Sequence, residues 1–269
     1  MFTGDYGFFD YKYLIDGYTG QDYGGLAQTV YLAASAVLLV LLLPALRKSP
    51  RERVRRIVGF MGIFLTLFYL GKTAWESYYD IRLSGGFNTG LLPLDTCSVV
   101  MPAALLAGFG RGRARHLAES WLATGSVVGG IGAMVRLNAF HYYPFWSFGA
   151  FYSMLWHLLM VFLGLLLILT DEDCCGRKTV RRGFLFHLIF SAVVIPIDFI
   201  WNFDFMLYRC LGGMPVFEDV ASRFTEAGLG FLNPLLMLAL YGLAFWLVSG
   251  TAWLIRQIKK TNQEGHVAN

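Results

Sequence analysis

Charge is scarce in this chain. Only 15% of its 269 residues are Asp, Glu, Lys or Arg, against about 25% in an average soluble domain. With 56% hydrophobic residues and a mean hydropathy of +0.53, that scarcity excludes a disordered chain and argues against an ordinary soluble enzyme. Cysteine is scarce too: four residues exclude a disulfide scaffold. There is no phosphate-loop or dinucleotide glycine pattern, no internal repeat and no linker to a second domain. No basic segment precedes an apolar core at the start, so residues 1–24 do not read as a cleaved signal peptide. The net charge of +4 is no nucleic-acid signal, because the basic residues lie between apolar blocks.

Those blocks are what the sequence has in plenty. Roughly 20 apolar residues cross a bilayer core. Seven such runs occur: Gly25–Leu46, Ile57–Tyr78, Leu91–Phe109, Leu117–Val135, Phe148–Thr170, Gly183–Phe205 and Gly228–Ile255. Backbone groups in lipid must pair within their own segment. The runs therefore predict an all-α polytopic bundle of seven transmembrane helices. Basic residues cluster at Arg47–Arg56, Arg111–Arg115, Arg177–Arg182 and Arg256–Lys260, always on one side. The positive-inside rule then sets the N-terminus outside and the C-terminus in the cytoplasm of a cell-membrane protein. Residues 1–24 form an outer interfacial segment, 25–255 the membrane domain and 256–269 a cytoplasmic tail. The outer segment carries Asp5, Asp10 and Asp16 among Tyr6, Phe8, Phe9, Tyr11 and Tyr13. The loop Asn138–Phe148 is a second aromatic belt, and loop 206–227, the longest outer connection, reads as a lid.

Polar residues inside the spans mark a site or a buried structural pair. At 1.5 Å per residue, Cys97 lies about 9 Å and His157 about 13 Å below the outer surface, and Lys72 and Asp198 about 8 Å below it. Four spans thus place reactive groups in one outer layer. Asp198, Trp201 and Asn202 share a helix face, as do Ser153 and His157, and Lys72 can pair with Glu76. Asp95, two residues from Cys97, points elsewhere on a regular helix. Pro93 and Pro102 bracket the cysteine and can break that regularity, as Pro196 can open the sixth span. The chemistry such a layer supports is nucleophilic. Cys97 would attack an ester, His157 would take its proton and Asp198 would orient His157. Lys72 would hold a phosphate or carboxylate, and Ser98 or Asn202 would donate to the oxyanion, with Trp201 and Ser153 lining the substrate. No metal and no cofactor is called for. The bland readings stand beside these: a buried cysteine as a small hydrophobe, and His187 and Glu119 as snorkelling or interhelical contacts near the cytoplasmic edge. Cys174–Cys175 lacks histidine neighbours for a metal site. Gly125, Gly129 and Gly132 form a close-packing face.

The run Leu92-Pro93-Leu94-Asp95-Thr96-Cys97-Ser98 resembles the LPLHxCS-type motif of the YwaF family of bacterial integral membrane proteins. Tyr143-Pro144-Phe145-Trp146-Ser147-Phe148, before a span with a mid-helix histidine, resembles it too, as does Glu119-Ser120-Trp121. The likeness covers most of residues 57–255. That family is similar to a eukaryotic transmembrane family implicated in acyl transfer to ether phospholipids through a cysteine centre. It is more distantly similar to the androgen-induced membrane hydrolases, which use a Thr/His pair. The resemblance implies Cys97 as nucleophile and His157 as its histidine. Where the family often has His two positions before the cysteine, this chain has Asp95.

Sequence therefore points to a lipid acyltransferase or lipid esterase acting on a membrane phospholipid or acyl-lipid substrate. The alternative is a non-enzymatic transporter or amphiphile-binding protein, which predicts polar groups through both membrane halves. A retinal-type receptor is disfavoured, because Gly228–Ile255 holds no lysine.

Overall fold

Leucine, valine and alanine dominate Leu26–Leu46, and they build the first helix, α1, with Pro44 near its end. The computed structural model describes residues 5–15, 18, 20, 25–136, 139–211 and 215–267. It continues through α2 (Arg51–Ser84), α3 (Val100–Phe109), α4 (Gly112–Trp121), α5 (Val127–Val135), α6 (Ala139–Tyr142), α7 (Phe148–Thr170), α8 (Arg177–Trp201), α9 (Pro215–Glu226) and α10 (Asn233–Val267). No strand occurs among the described residues. Asp16 and Asn138, assigned above to outer loops, lie outside them.

Six stretches are long and apolar enough to cross a membrane: Leu26–Leu46, Arg51–Ser84, Thr89–Phe109, Phe148–Thr170, Arg177–Trp201 and Gly230–Lys259. The expected span Leu117–Val135 is not among them. It is helical from Gly112 to Val135, but a π-helical turn at Leu122–Ser126 divides it, and its first turns carry Arg113, Arg115, His116 and Glu119. The surface is that of a multi-pass membrane protein. Val40, Leu41, Leu67 and Ile200 are 63–70% exposed, whereas Thr124, Ser126, His187 and Asp198 are fully buried. Apolar groups face outward and polar groups are held inside, the arrangement lipid imposes.

Close approach between helices needs missing side chains. Where α2 crosses α3, a Cβ on Gly108 would stand 2.1 Å from the Gly59 Cα, so any larger residue there would force the two helices apart. α2 has 34 residues, about 51 Å of helix, and it outreaches a bilayer core of about 30 Å. It stops at Gly85, whose φ of 74° is left-handed.

The bundle's two ends differ. At the arginine-rich end, Arg51 pairs with Asp171 at 2.8 Å, Arg55 donates to the Gly108 carbonyl at 2.8 Å and Arg256 donates to the carbonyls of Ile168 and Asp171. At the aromatic end, the N-terminal segment folds back over the helices. Phe148 N–H donates to the Phe8 carbonyl at 2.6 Å, Trp75 Nε1 donates to the Phe9 carbonyl at 3.2 Å, and the Tyr11 and Tyr79 rings stack at 5.2 Å.

Loop 206–227 does not behave as one outer lid. Its first part, with the residues just before it, turns back into the bundle. The Tyr208 hydroxyl meets Ser191, a residue ten positions before the end of α8 and so about 15 Å below it. Phe205, Met206, Tyr208 and Leu211 are all at most 5% exposed. Four non-glycine residues here, Asn202, Met206, Leu207 and Leu211, adopt left-handed φ values of 48–62°, a strain that local hydrogen bonds must hold. Asp198 Oδ1 accepts from Phe205 N–H at 2.9 Å, and Asp204 Oδ1 accepts from the N–H groups of Arg209 and Cys210 at 2.7 and 3.2 Å. The later part forms α9, which the Asn233 amide joins to the in-folded segment by donating to the Ala221 and Arg209 carbonyls. Pro196 does not open α8, which runs on to Trp201.

Candidate functional site

Cys97 does not sit on a regular helix. Pro93 and Pro102 flank a turn, and residues Thr96–Val99 form a short 3-10 stretch entered from Asp95 in extended geometry (φ −70°, ψ 154°). The expectation that Asp95 points away assumed a regular helix. Without one, the charges of Asp95 and Lys72 both act at the Cys97 sulfur, and the Ser98 hydroxyl lies beside it. Trp156 Nε1 donates to the Cys97 carbonyl at 3.3 Å and ties the turn to α7. The hydroxyls of Thr96 and Tyr241 share a hydrogen bond, tying it to α10. The phenols of Tyr69, Tyr152 and Tyr241 lie within electrostatic reach of Cys97. Cys97 itself stays partly accessible within this interior layer.

His157 is held by its own helix. Its Nδ1 lies 2.8 Å from the Ser153 carbonyl and 3.4 Å from the Ser153 hydroxyl. A carbonyl only accepts, so Nδ1 carries the proton and Nε2 keeps its lone pair. No hydrogen-bond partner occupies Nε2 among the described residues. Ser153, expected to line a substrate, here orients the imidazole. That is the role expected of Asp198, whose carboxylate is instead spent on Phe205 N–H. Cys97, His157 and Asp198 are thus not joined by hydrogen bonds. Asp198 is fully buried, its Oδ2 has no partner, and it lies within electrostatic reach of Asp95 and Asp204.

The remaining expected residues divide. Lys72 forms its ion pair with Glu76 and lies 5.6 Å from the Tyr152 ring centroid. Ser98 is buried in the Cys97 turn. Trp201 is 60% exposed and Asn202 is exposed, so they do not share the buried setting of Asp198. Asn202 ends the helix in left-handed geometry, and spacing rules for a continuing helix fail there.

Of the two readings given for His187, the interhelical contact holds and snorkelling does not; it is 0% exposed. Trp121 Nε1 donates to its Nδ1 at 3.5 Å, and Tyr208 meets its Nε2 at 3.2 Å. An indole N–H only donates, so His187 carries its proton on Nε2 and gives it to Tyr208. Tyr208 then donates to Ser191, and Ser191 to the His187 carbonyl at 2.8 Å. This chain of donors closes on a backbone carbonyl. It ties α4, α8 and the in-folded segment together and leaves no free base. Sequence carried no sign of it, since Tyr208 and Trp121 are distant in the chain.

Cys97, then, is a half-buried residue with Asp95 and Lys72 in electrostatic reach, and His157 is a half-buried residue whose Nε2 keeps its lone pair, with no hydrogen bond between the two. The match to known families fits a membrane bundle of this type. The chain belongs to the TMEM164 family. The TMEM164 family's sequence model matches residues 23–248, from just before α1 to within α10. Cys97, His157, His187 and the α2 polar residues all fall inside the TMEM164-matched region. No curated protein and no solved structure matches the chain.

Proposed function

We propose that this TMEM164-family protein transfers or hydrolyses lipid acyl esters at Cys97. The aromatic end faces outward, the arginine end faces the cytoplasm, and Gly112–Val135 is a seventh crossing. The distribution of Arg and Lys supports this orientation, and the likeness to YwaF-type proteins supports the cysteine chemistry. The observation that carries the reading is the tautomer of His157. Its Nδ1–H is fixed by Ser153, and its Nε2 is left as a free base on the helix whose neighbouring Trp156 bonds the Cys97 turn.

The steps balance. As the Cys97 Sγ–C bond forms, the thiol proton passes to His157 Nε2 and the ester C–O bond breaks; the proton then goes to the leaving alcohol. A second alcohol, or water, attacks the thioester and returns the thiol. Substrate binding draws the thiol and imidazole into contact, as catalytic pairs tighten in their complexes. The substrate reaches the layer sideways from lipid, with its headgroup toward the aromatic end.

A lipid ester analogue carrying a thiol-reactive warhead is expected to label the wild-type chain and not Cys97→Ala. Undiminished labelling of Cys97→Ala would sink the proposal. One observation favours a second reading, solute transport: irregular backbone at membrane depth in residues 202–211 is a transporter feature. Proteoliposomes decide between them. Ester turnover without solute flux supports the enzyme, and flux without turnover supports transport.

A further inference from the structure

Lys72, Glu76 and Asp80 recur every four residues on α2 and so share one face, with Thr73 adjoining. The line starts at the Cys97 layer, where the Lys72 charge acts on the sulfur. It ends under the N-terminal segment, where the Tyr11 hydroxyl donates to Asp80 Oδ1 at 2.5 Å. Burial, and then that hydrogen bond, raise the Tyr11 phenol well above its ordinary pKa, so it remains a donor. Glu76 and Asp80 are 6% and 8% exposed, and carboxylates so deep require partners. Glu76 has Lys72. Asp80 Oδ2 has none.

Two more polar atoms on the same line are equally unsatisfied. Thr73 Oγ1 has no well-formed hydrogen bond beyond its approach to the Tyr69 hydroxyl, and the proton of the Tyr143 hydroxyl has no acceptor, although Tyr143 is only 5% exposed and its hydroxyl feels both Glu76 and Asp80. Three of the seven buried side-chain polar atoms without a partner among the described residues therefore fall along one track. Asp80 needs a donor, Tyr143 an acceptor, and Thr73 takes either. A hydroxylic ligand, water or a small alcohol, supplies both functions. Charge narrows the choice further. Glu76, Asp80 and Asp95 face two ammonium groups, Lys72 and Lys12. The Lys12 ammonium is already held 5.0–5.5 Å from the ring centroids of Tyr11, Tyr13 and Tyr142.

We infer that this α2 line is a hydrated access track that carries small hydroxylic or cationic ligands from the aromatic end to Cys97 and turns anions away. It deepens the acyl-ester reading, on which it rests only for the last step, by delivering the water or alcohol that resolves the thioester.

The test uses full-length chain in liposomes, with Cys174, Cys175 and Cys210 changed to Ser. A positively charged aminoethyl methanethiosulfonate and a negatively charged sulfonatoethyl one, of similar size, are added at the aromatic face. The cationic reagent is expected to modify Cys97 about tenfold faster or more, as acidic clefts steer cations. Asp80→Asn should erase most of that preference, and Tyr11→Phe should speed both reagents. In a Cys97→Ala background, Thr73→Cys should react, whereas Leu70→Cys, 57% exposed but facing lipid, should not. Equal rates for the two reagents, or a Thr73→Cys as silent as Leu70→Cys, would overturn the track. The Thr73→Cys arm needs no catalysis, so its outcome is separate from the labelling test of Cys97.

Discussion

Two histidines of the membrane domain, His157 and His187, teach by contrast. His157 spends one nitrogen on its own helix, at the Ser153 carbonyl, and keeps the other free. His187 spends both, accepting from Trp121 and donating to Tyr208, and its proton path ends at a backbone carbonyl. His187 is fully buried and His157 half-buried, and burial alone does not tell a working imidazole from a structural one. The hydrogen-bond account does. A base needs a lone pair with no donor already on it, and of these two histidines His157 supplies one.

The contrast breaks most sharply under substitution. His157→Ala should lower ester turnover about 10²- to 10⁴-fold, the usual share of a general base, while moving the melting temperature in detergent little. Unchanged turnover with intact folding would reverse the assignment. His187→Ala should do the opposite. It leaves the Trp121 N–H without an acceptor, takes from the Tyr208 oxygen the donor it accepts from, and opens a cavity, a loss of about 3–5 kcal/mol. The expected readout is a large fall in melting temperature, and the surviving folded fraction should keep its turnover per molecule. A stable but inactive His187→Ala would move the base to the other histidine.

A milder change sharpens the same point. Tyr208→Phe keeps the ring and removes only the hydroxyl, so His187 Nε2–H loses its acceptor and Ser191 loses a donor. The cost should be about 1–3 kcal/mol, read by thermal unfolding. It should fall on the in-folded segment first, where four left-handed residues depend on such pins. Limited proteolysis near residues 202–211 should quicken in this variant. A melting temperature equal to wild type would show that the His187 chain holds nothing.

Six of the seven expected spans were readable in the sequence because lipid leaves no choice: surfaces such as Val40, Leu41 and Leu67 must be apolar. Lys72 with Glu76 was readable because helix spacing fixes it. Three things were not. The π-helical turn at Leu122–Ser126 leaves no mark in an apolar run. The position of Asp95 beside Cys97 depends on losing the helical period, which Pro93 and Pro102 signal without saying where the side chain goes. The in-folding of residues 202–211 was hidden because Phe203, Phe205 and Tyr208 also suit an interfacial aromatic belt. Only the pairing of Tyr208 with His187, 21 positions apart, separates the two readings. The choice between a snorkelling and an interhelical His187 was open in the sequence for a related reason. Its helix begins at Arg177, six residues before the apolar run suggests, and its hydrogen-bonding partners come from the interior.

Asn202 provides the finest test, with the smallest effect. Spacing grouped it with Asp198 as a substrate contact, yet it is exposed and ends α8 at φ 60°, its N–H on the Asp198 carbonyl. A residue in that role is there for its backbone, and glycine adopts the same geometry without strain. Asn202→Gly should therefore leave turnover unchanged and shift stability by no more than about 0.5 kcal/mol. A ligand-binding amide would behave otherwise, since its loss would raise KM for the lipid ester while the melting curve stayed in place. The paired measurement decides whether the exposed end of α8 is a helix stop or the rim of the chamber, because a backbone role moves neither number and a binding role moves only KM.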